Sequence, residues 1–373
     1  MQKLKMFFKN CAKLKIILGK TNAKAGLAYF SLIVVLLNSG CNVCNNGIVA
    51  VQDSQIYFSA MPLNGTTPSI FGMSLNDYAP NEAVKDAQLL SMPSQNGILV
   101  FFRQKSNGAK VLYRCKLNGD SIVQFVADNY YSAVDMPVIS NDGHWTAFYR
   151  GGDTLLIDKD FNLTKDASLN YCIGSISSFS PNGNYLAFFE GNYLSGPITV
   201  KVIDINNSTP ISAIIFQKTI SSGFGEVPYA SIKWSSDGKM INYIIDGGIY
   251  IDTIAGGSKF YNLGKINTLS FALSPDNRSL AYIADDGNLK KRNFSDTVII
   301  TQLTEIDSNY EYIDFPEWSL DGKKIILTSF HKNESTANKY RGALEIVDIE
   351  TKEKQELCNN VWKGFWNPSY IKK

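Results

Sequence analysis

Histidine is almost absent from this chain, which has only His144 and His331 among its 373 residues. The sequence also lacks the H-E-x-x-H, G-x-S-x-G and G-x-x-x-x-G-K-[ST] patterns, whose spacings place metal ligands, a serine nucleophile or phosphate-binding amides. No D-x-[DN]-x-[DN]-G calcium loop occurs either. A Ser-His-Asp catalytic triad or a metal centre would therefore require residues from distant parts of the chain. We therefore predict no catalytic residues, no metal site and no cofactor.

Cysteine is also scarce, and the six cysteines do not form a disulfide framework. Cys41 and Cys44 have the C-x-x-C spacing of a redox pair or of half a zinc site, but the second half of such a site does not occur. Cys115, Cys172 and Cys358 are spread over separate stretches of the chain, and we expect them to be buried free thiols.

Long apolar runs are missing as well. The most apolar stretch, 26–37, has 12 residues, whereas a membrane-spanning helix needs about 20. It belongs to a basic leader, because residues 1–40 contain seven Lys and no Asp, Glu or Arg. A short apolar core after basic residues predicts a signal peptide over residues 1–40.

The end of this leader, Leu36-Leu37-Asn38-Ser39-Gly40-Cys41, resembles the cleavage box of bacterial lipoproteins. Asn38 departs from that pattern, which prefers Leu at its position. The resemblance implies that Cys41 is lipidated and that residues 41–51 tether the protein to a membrane, on its periplasmic or its surface side. An ordinary cleaved signal peptide and an uncleaved anchor are the alternatives, and all three predict export to the cell envelope.

The net charge argues against a nucleic-acid partner once the leader is set aside. Over the whole chain, Lys plus Arg number 36 and Asp plus Glu 34, which gives +2. Without residues 1–40, Lys plus Arg fall by seven to 29, so the rest of the chain carries −5. Nucleic-acid binding requires a basic face, and we expect none here.

The main positive feature is a phrase that recurs six times. Its clearest copy, Ser180-Pro-Asn-Gly-Asn-Tyr-Leu-Ala-Phe-Phe189, joins a turn to a run of apolar and aromatic residues. The turn residues of successive copies are 46, 40, 55, 39 and 45 positions apart, which is the length of one propeller blade. They are Gly97, Gly143, Gly183, Gly238, Asn277 and Gly322. Each copy therefore predicts a β-hairpin turn and the strand after it. Three of the turns contain an Asp-Gly pair, which begins at Asp142, Asp237 or Asp321.

Each repeat is long enough for a four-stranded antiparallel blade. The third strands are predicted at Lys110–Leu117, Thr154–Lys159, Ile198–Ile205, Gly248–Ile254 and Ala343–Ile349. At the chain ends, Asp53–Ser59 has the pattern of a second strand without a first, and Gly364–Ile371 that of a first strand alone. If the C-terminal segment completes the N-terminal blade, the fold is an all-β, seven-bladed propeller closed by its C-terminal strand. The weak first two copies leave six or eight blades open.

Two of the repeated phrases point to a family. W-S-x-D-G-K-x-I at 234–241 and 318–325, and S-P-[DN]-x-x-x-L-A-[YF] at 180–188 and 274–282, resemble the repeats of TolB-like propellers, relatives of WD repeats. The resemblance spans residues 52–373 and implies a propeller that binds partners through an end face. It indicates a fold and not an activity, since one fold hosts many functions.

The long loops of such a propeller share the face opposite the Asp-Gly turns, and long loops commonly carry function. Here they are rich in tyrosine, which is favoured at interfaces. We predict Tyr193, Tyr229, Tyr312 and His331 as binding residues on these loops. The alternative is that their rings only pack the loops.

Three acidic residues lie two positions before a proline at the predicted start of an inner strand. They are Asp135, Glu226 and Asp314. Their carboxylates would lie at the mouth of the central channel and could bind a cation or an amine-bearing ligand. Alternatively, each accepts hydrogen bonds from its own loop.

These features favour a binding or scaffolding module over an enzyme. We expect an exported, lipid-anchored propeller that recognises a protein or peptide in the bacterial cell envelope. The alternatives are a glycan-active lyase or hydrolase, and a propeller that binds glycans without turnover. Catalysis would require Asp135, Arg150, Asp314 and His331 to meet in one place.

Overall fold

The computed structural model of the protein describes residues 55–62, 66–89, 91–106, 110–124, 137–150, 154–159, 169–170, 177–190, 198–206, 214–220, 231–245, 248–264, 266–295, 299–306, 310–331 and 342–366. The regular elements in these ranges are all β-strands. Nothing within them is a helix with the length and apolar character needed to traverse a lipid bilayer. The predicted signal peptide (1–40), the tether (41–51), Cys41 and Cys44 lie outside the described residues.

The strands alternate with turns along the whole described chain. In chain order they are β1 (Ile56–Ala60), β2 (Ser69–Met73), β3 (Pro80–Val84), β4 (Gln88–Leu89), β5 (Ile98–Gln104), β6 (Lys110–Lys116), β7 (Val123–Gln124), β8 (Val138–Ile139), β9 (Trp145–Arg150), β10 (Thr154–Lys159), β11 (Leu169–Asn170), β12 (Ser178–Phe179), β13 (Tyr185–Glu190), β14 (Ile198–Asp204), β15 (Ile214–Ile220), β16 (Ile232–Trp234), β17 (Met240–Ile245), β18 (Gly248–Thr253), β19 (Ser258–Asn262), β20 (Ile266–Leu273), β21 (Ser279–Ala284), β22 (Leu289–Asn293), β23 (Ile300–Gln302), β24 (Tyr310–Trp318), β25 (Lys324–His331), β26 (Gly342–Asp348) and β27 (Lys354–Trp366). The five predicted third strands are present as β6, β10, β14, β18 and β26, with bounds that agree within one residue.

Within the described ranges, these strands form six antiparallel sheets. Five sheets contain four consecutive strands each: β4–β7, β8–β11, β12–β15, β16–β19 and β20–β23. The sixth sheet has seven strands in the order β24-β25-β26-β27-β1-β2-β3. A succession of four-stranded antiparallel sheets along the chain is the arrangement of propeller blades.

The long strand β27 joins the two ends of the chain. Its first half pairs with β26, where Val347 lies opposite Lys354. Its second half pairs with β1, where Ile56 lies opposite Trp366. Asn360 separates the halves and has a φ of 61°. The predicted pairing of the C-terminal segment with the N-terminal strand is therefore present, although residues 367–373 lie outside the described part.

The repeated phrase folds into a hairpin turn that its own side chains stabilise. The Ser180 hydroxyl donates to Asn182 Oδ1 (2.6 Å) and accepts a hydrogen bond from the Tyr185 N–H (2.9 Å). Gly183 has a φ of 73°, which glycine adopts without strain. The same serine and Asx contacts recur in the copies that begin at 140, 235, 274 and 319, which confirms the predicted turns.

Neighbouring sheets are connected through these turns. Asn141 Nδ2 donates to the Pro181 carbonyl of the next turn (2.9 Å). Asn277 replaces the usual glycine with a φ of 58°. Its Oδ1 accepts from the Ser236 N–H (2.9 Å), and its Nδ2 donates to Ser236 Oγ (2.8 Å). Asparagine adopts this positive φ with little strain. At this position, its side-chain amide forms hydrogen bonds with the turn of the adjacent sheet.

The apolar core lies between neighbouring sheets. Phe189 of β13 packs edge-on against Tyr243 of β17, with ring centres 5.8 Å apart. The tryptophan of the W-S-x-D-G-K phrase links first strands: Trp234 Nε1 donates to the Ser178 carbonyl (2.9 Å). Trp318 Nε1 donates in the same way to a β20 carbonyl (3.0 Å). In these two copies, the repeat thus determines both a hairpin turn and a contact with a neighbouring sheet.

Two of the three cysteines predicted to be buried are described. Cys115 and Cys358 are buried free thiols, as predicted. Burial raises the pKa of Cys115 to about 12, so its thiol is unreactive at physiological pH. Cys172 lies outside the described residues.

Candidate functional site

Three of the predicted binding residues have described side chains, and they share two neighbouring strands. Tyr312 and Asp314 lie on β24, and His331 ends β25. Asp314 is opposite Thr328 in the register, and His331 is opposite Tyr310. Asp314 and His331 are therefore offset by three positions, or about 10 Å along the strands.

Arg150 belongs to a different sheet. It ends β9, opposite Thr154 of β10. The other predicted binding residues lie outside the described residues: Asp135, Tyr193, Glu226 and Tyr229. The described structure thus brings Tyr312, Asp314 and His331 onto one pair of strands and places Arg150 in the β8–β11 sheet.

A β-bulge interrupts the pairing of β24 between Asp314 and Glu317. Phe315, inside the bulge, has a φ of 55°, which a bulky side chain adopts only under strain. Asp314 Oδ1 accepts a hydrogen bond from the Phe315 N–H (2.8 Å), which is the loop-capping contact considered for this acid. Bulges and strained backbone cluster at functional sites, so the bulge marks the place to look for one.

Aromatic rings surround the bulge. The Phe315 ring lies edge-on to Phe330 of β25 (6.3 Å between ring centres) and to Trp362 of β27 (6.1 Å). Tyr312 stacks on the same Phe330 ring at 4.6 Å. Tyr312, Phe315 and Trp362 are half-buried, so a partner could contact their exposed parts.

Charged side chains from β16, β24 and β27 meet beside these rings. Lys233 Nζ forms an ion pair with Glu317 Oε1 (2.9 Å). Lys363 Nζ lies 4.6 Å from the centre of the Phe365 ring and 5.0 Å from that of Phe315. Burial in these surroundings lowers the pKa of Lys363 to about 8, because the charged ammonium loses hydration.

We refer to this group as the inner-strand cluster: Lys233, Asp314, Phe315, Glu317, Trp362 and Lys363. β16 is the first strand of the four-stranded sheet β16–β19, β24 is the edge strand of the seven-stranded sheet, and β27 lies between β26 and β1 in that sheet. Sequence reasoning identified only Asp314 of this group. One sequence signal could have indicated the other members of the cluster: a charged residue between two apolar residues of an inner strand. Ile232-Lys233-Trp234 is an example.

A separate cavity of about 510 Å³ lies between the β16–β19 and β20–β23 sheets. Its lining includes Met240, Tyr261, Phe294 and the turn residue Asn277. Asn277 already bonds Ser236, so its amide is committed to the fold. No group of three His, Cys, Asp or Glu side chains suited to a metal ion occurs in the part of the chain that the structure describes. The inner-strand cluster is therefore the stronger candidate site.

No family model and no curated protein matches the sequence. Among solved structures, the chain is similar to a puromycin-hydrolysing peptidase from Mycobacterium tuberculosis, with a TM-score of 0.55 and 14% identity over 84% of this chain. It spans only 54% of that peptidase. An oligogalacturonate lyase in complex with manganese has a TM-score of 0.50 and 10% identity, over 82% of this chain and 86% of the lyase. TolB from Acinetobacter baumannii has a TM-score of 0.49 and 13% identity, over 88% of each chain. At these identities, the similarity concerns the fold alone.

Proposed function

We propose that this chain is an exported, membrane-anchored propeller that binds a protein or peptide of the bacterial cell envelope at its inner-strand cluster. One observation supports the binding function most strongly. The strained residue Phe315 contacts the Trp362 ring, and the half-buried side chains of Lys233 and Lys363 lie in the same cluster on inner strands. A few aromatic and charged residues at the centre of an interface supply most of its binding energy.

The cellular location in this proposal rests on the sequence. The basic leader with its short apolar core supports export, and the resemblance around Cys41 supports lipid attachment. One lipid group gives reversible membrane binding, and the multiple chains of a bacterial lipoprotein would make the attachment stable.

We also propose that the propeller has seven blades. The five four-stranded sheets supply five of them. The seven-stranded sheet supplies two more, because β27 is the last strand of the unit β24–β27 and, through its second half, the first strand of the unit with β1–β3. A strand shared in this way would close the ring and supply β1 with its missing first-strand neighbour.

The described geometry gives the glycan-active alternative less support. Asp314 and His331 are offset by about 10 Å along their strands. The Asp314 carboxylate also accepts a hydrogen bond from the N–H of the next residue, Phe315. The similarity to an oligogalacturonate lyase concerns the fold of that protein.

Capture from an envelope extract by the immobilised full chain tests the binding function. Replacement of Trp362 by Ala should reduce the captured partner at least tenfold, since a central aromatic residue contributes about 2 kcal/mol or more to such an interface. Quantitative mass spectrometry of the captured proteins gives this ratio.

Phe260→Ala is the matched control. Phe260 is also aromatic and is 50% exposed, but it lies on the edge strand β19, outside the inner-strand cluster. Its replacement should leave capture unchanged. Equal capture by wild type and Trp362→Ala, at equal melting temperature, would contradict the assignment of the binding site.

A further inference from the structure

The cavity between the β16–β19 and β20–β23 sheets has the size and the walls of a small-molecule site. Its volume is about 510 Å³, and pockets that hold small ligands have mostly apolar walls and volumes of about 300–1,000 Å³. Met240, Tyr261, Leu273 and Phe294 line it, and each of them is only half-buried. An apolar ligand would cover the exposed parts of these side chains, which favours its binding.

One end of the cavity is buried and the other end is open to solvent. Asn242 and Ile251, at the buried end, are 2% and 8% exposed. Residues 256–259, at the open end, are exposed. The turn at this end is stabilised by Thr253, whose hydroxyl donates a hydrogen bond to the Gly256 carbonyl (2.5 Å). A ligand could therefore enter from solvent with its apolar part towards the buried end.

Only one charged residue lines the cavity, and it has no counter-charge among the residues that the structure describes. This residue is Lys259 of β19, which forms no hydrogen bond or ion pair with them. The carboxylates of the adjacent turns, Asp237 and Asp276, are not part of the lining. Each accepts hydrogen bonds within its own turn. Lys239 interacts electrostatically with the first of these carboxylates. Arg278 interacts in the same way with the second. The charge of Lys259 therefore remains available to a ligand.

A second cation lies behind the aromatic wall of the cavity. The Arg292 guanidinium is 5.3 Å from the centre of the Tyr261 ring, and the Phe294 ring contacts the same ring at 5.2 Å between centres. Arg292 is 7% exposed, and its Nε has no hydrogen-bond partner in the described part of the chain. Its Nη1 donates to the Asn262 carbonyl, and no described carboxylate forms an ion pair with it. A buried cation without a counter-ion makes the potential around it positive, which favours an anion in the cavity.

We propose that this cavity binds a small molecule with an apolar body and a carboxylate group. The body lies against Met240, Leu273 and Phe294, and the carboxylate pairs with Lys259 at the open end. An aromatic ring and an acyl chain are both apolar bodies that these walls accommodate. The site is separate from the inner-strand cluster and does not depend on the proposed function.

Titration of the full chain with 2-naphthoate, and with the neutral 2-naphthamide as matched probe, tests this proposal. Methionine methyl groups labelled with ¹³C report binding by NMR, because Met240 lines the cavity. Its signal is the one that Met240→Leu removes. We expect this signal to shift with both probes, and the acid to bind about fivefold more tightly than the amide. Octanoate distinguishes the two kinds of body: tighter binding of naphthoate indicates a ring, and tighter binding of octanoate an acyl chain.

Lys259→Met should weaken the binding of the acid about fivefold and leave that of the amide unchanged, because only the acid pairs with the ammonium. Lys259→Arg keeps the charge and should retain the preference for the acid. Lys116→Met is the matched control. Lys116 ends β6 in another sheet, is exposed and does not line the cavity, so its replacement should leave both affinities unchanged.

A Met240 signal that shifts with none of the three probes would overturn the proposal. Equal affinities for the acid and the amide would also overturn it, as would an equal loss of both affinities in Lys259→Met. The comparison of the two probes on the wild-type chain keeps the test decisive if Lys259→Met does not fold.

Discussion

A chain that ends at Asn360 is expected to lose its cooperative fold. The truncation removes the half of β27 that pairs with β1, in which Val361 and Phe365 are 0% and 3% exposed. Full burial of each such side chain contributes about 1.5–3 kcal/mol, and β1 loses its hydrogen-bonded neighbour on one side. Whole domains are stabilised by only about 5–15 kcal/mol. We therefore expect the thermal transition in circular dichroism to disappear.

A permuted chain is the matched control for this truncation. Because Trp366 lies opposite Ile56, a short turn could join residues 361–366 to Gln55 as a hairpin. The permuted chain would begin at Val361, end at Asn360 and contain every described strand. It should regain the thermal transition. An unchanged melting curve for the truncated chain would show that this pairing does not stabilise the fold.

Lys218→Met should destabilise the protein by about 3 kcal/mol, because it leaves a buried carboxylate without its counter-charge. Lys218 Nζ of β15 donates to both oxygens of Asp252 of β18 (2.9 and 3.1 Å), across two sheets. Asp252 is 1% exposed and also accepts from the Tyr243 hydroxyl (2.5 Å). Burial and this hydrogen bond raise the pKa of Tyr243, so its hydroxyl stays a donor but cannot neutralise the carboxylate. Denaturant unfolding measures the loss.

Lys259→Met provides the control for Lys218→Met. Lys259 is the neighbour of Ser258 on β19 and has an exposed side chain. Its replacement should change the free energy of unfolding by less than about 0.5 kcal/mol. Addition of Asp252→Asn to Lys218→Met should restore part of the lost stability, since the buried group is then neutral. Equal effects of the two lysine replacements would show that the Lys218–Asp252 pair has no special role.

Much of the fold could be predicted because the repeated phrase acts locally. The serine hydroxyl, the Asx side chain and the glycine of each copy lie within six residues and together determine the turn. Five third strands could be predicted because a second apolar run follows the strand after the turn. The pairing of β1 with the end of β27 could also be predicted, because each end of the chain showed only part of a unit.

The candidate site could be predicted only in part, because long-range pairing assembles it. Tyr312, Asp314 and His331 were predicted from the loops and from the proline after the acid. Lys233 and Lys363 lie 130 positions apart in the sequence, and no local pattern indicates that they meet beside Glu317. The positive φ of Phe315 depends on a bulge between paired strands, which the sequence of β24 alone does not reveal.

The most direct measurement is photo-crosslinking in living cells of the native host, with a photoreactive phenylalanine at position 362 and, for comparison, at position 260. Separation of membranes from soluble fractions follows. We expect a specific adduct with an envelope protein at position 362, in the membrane fraction, and none at position 260. Adducts that form only at position 260 would contradict binding through the inner-strand cluster. A protein that stays in the cytosol would contradict the membrane anchor.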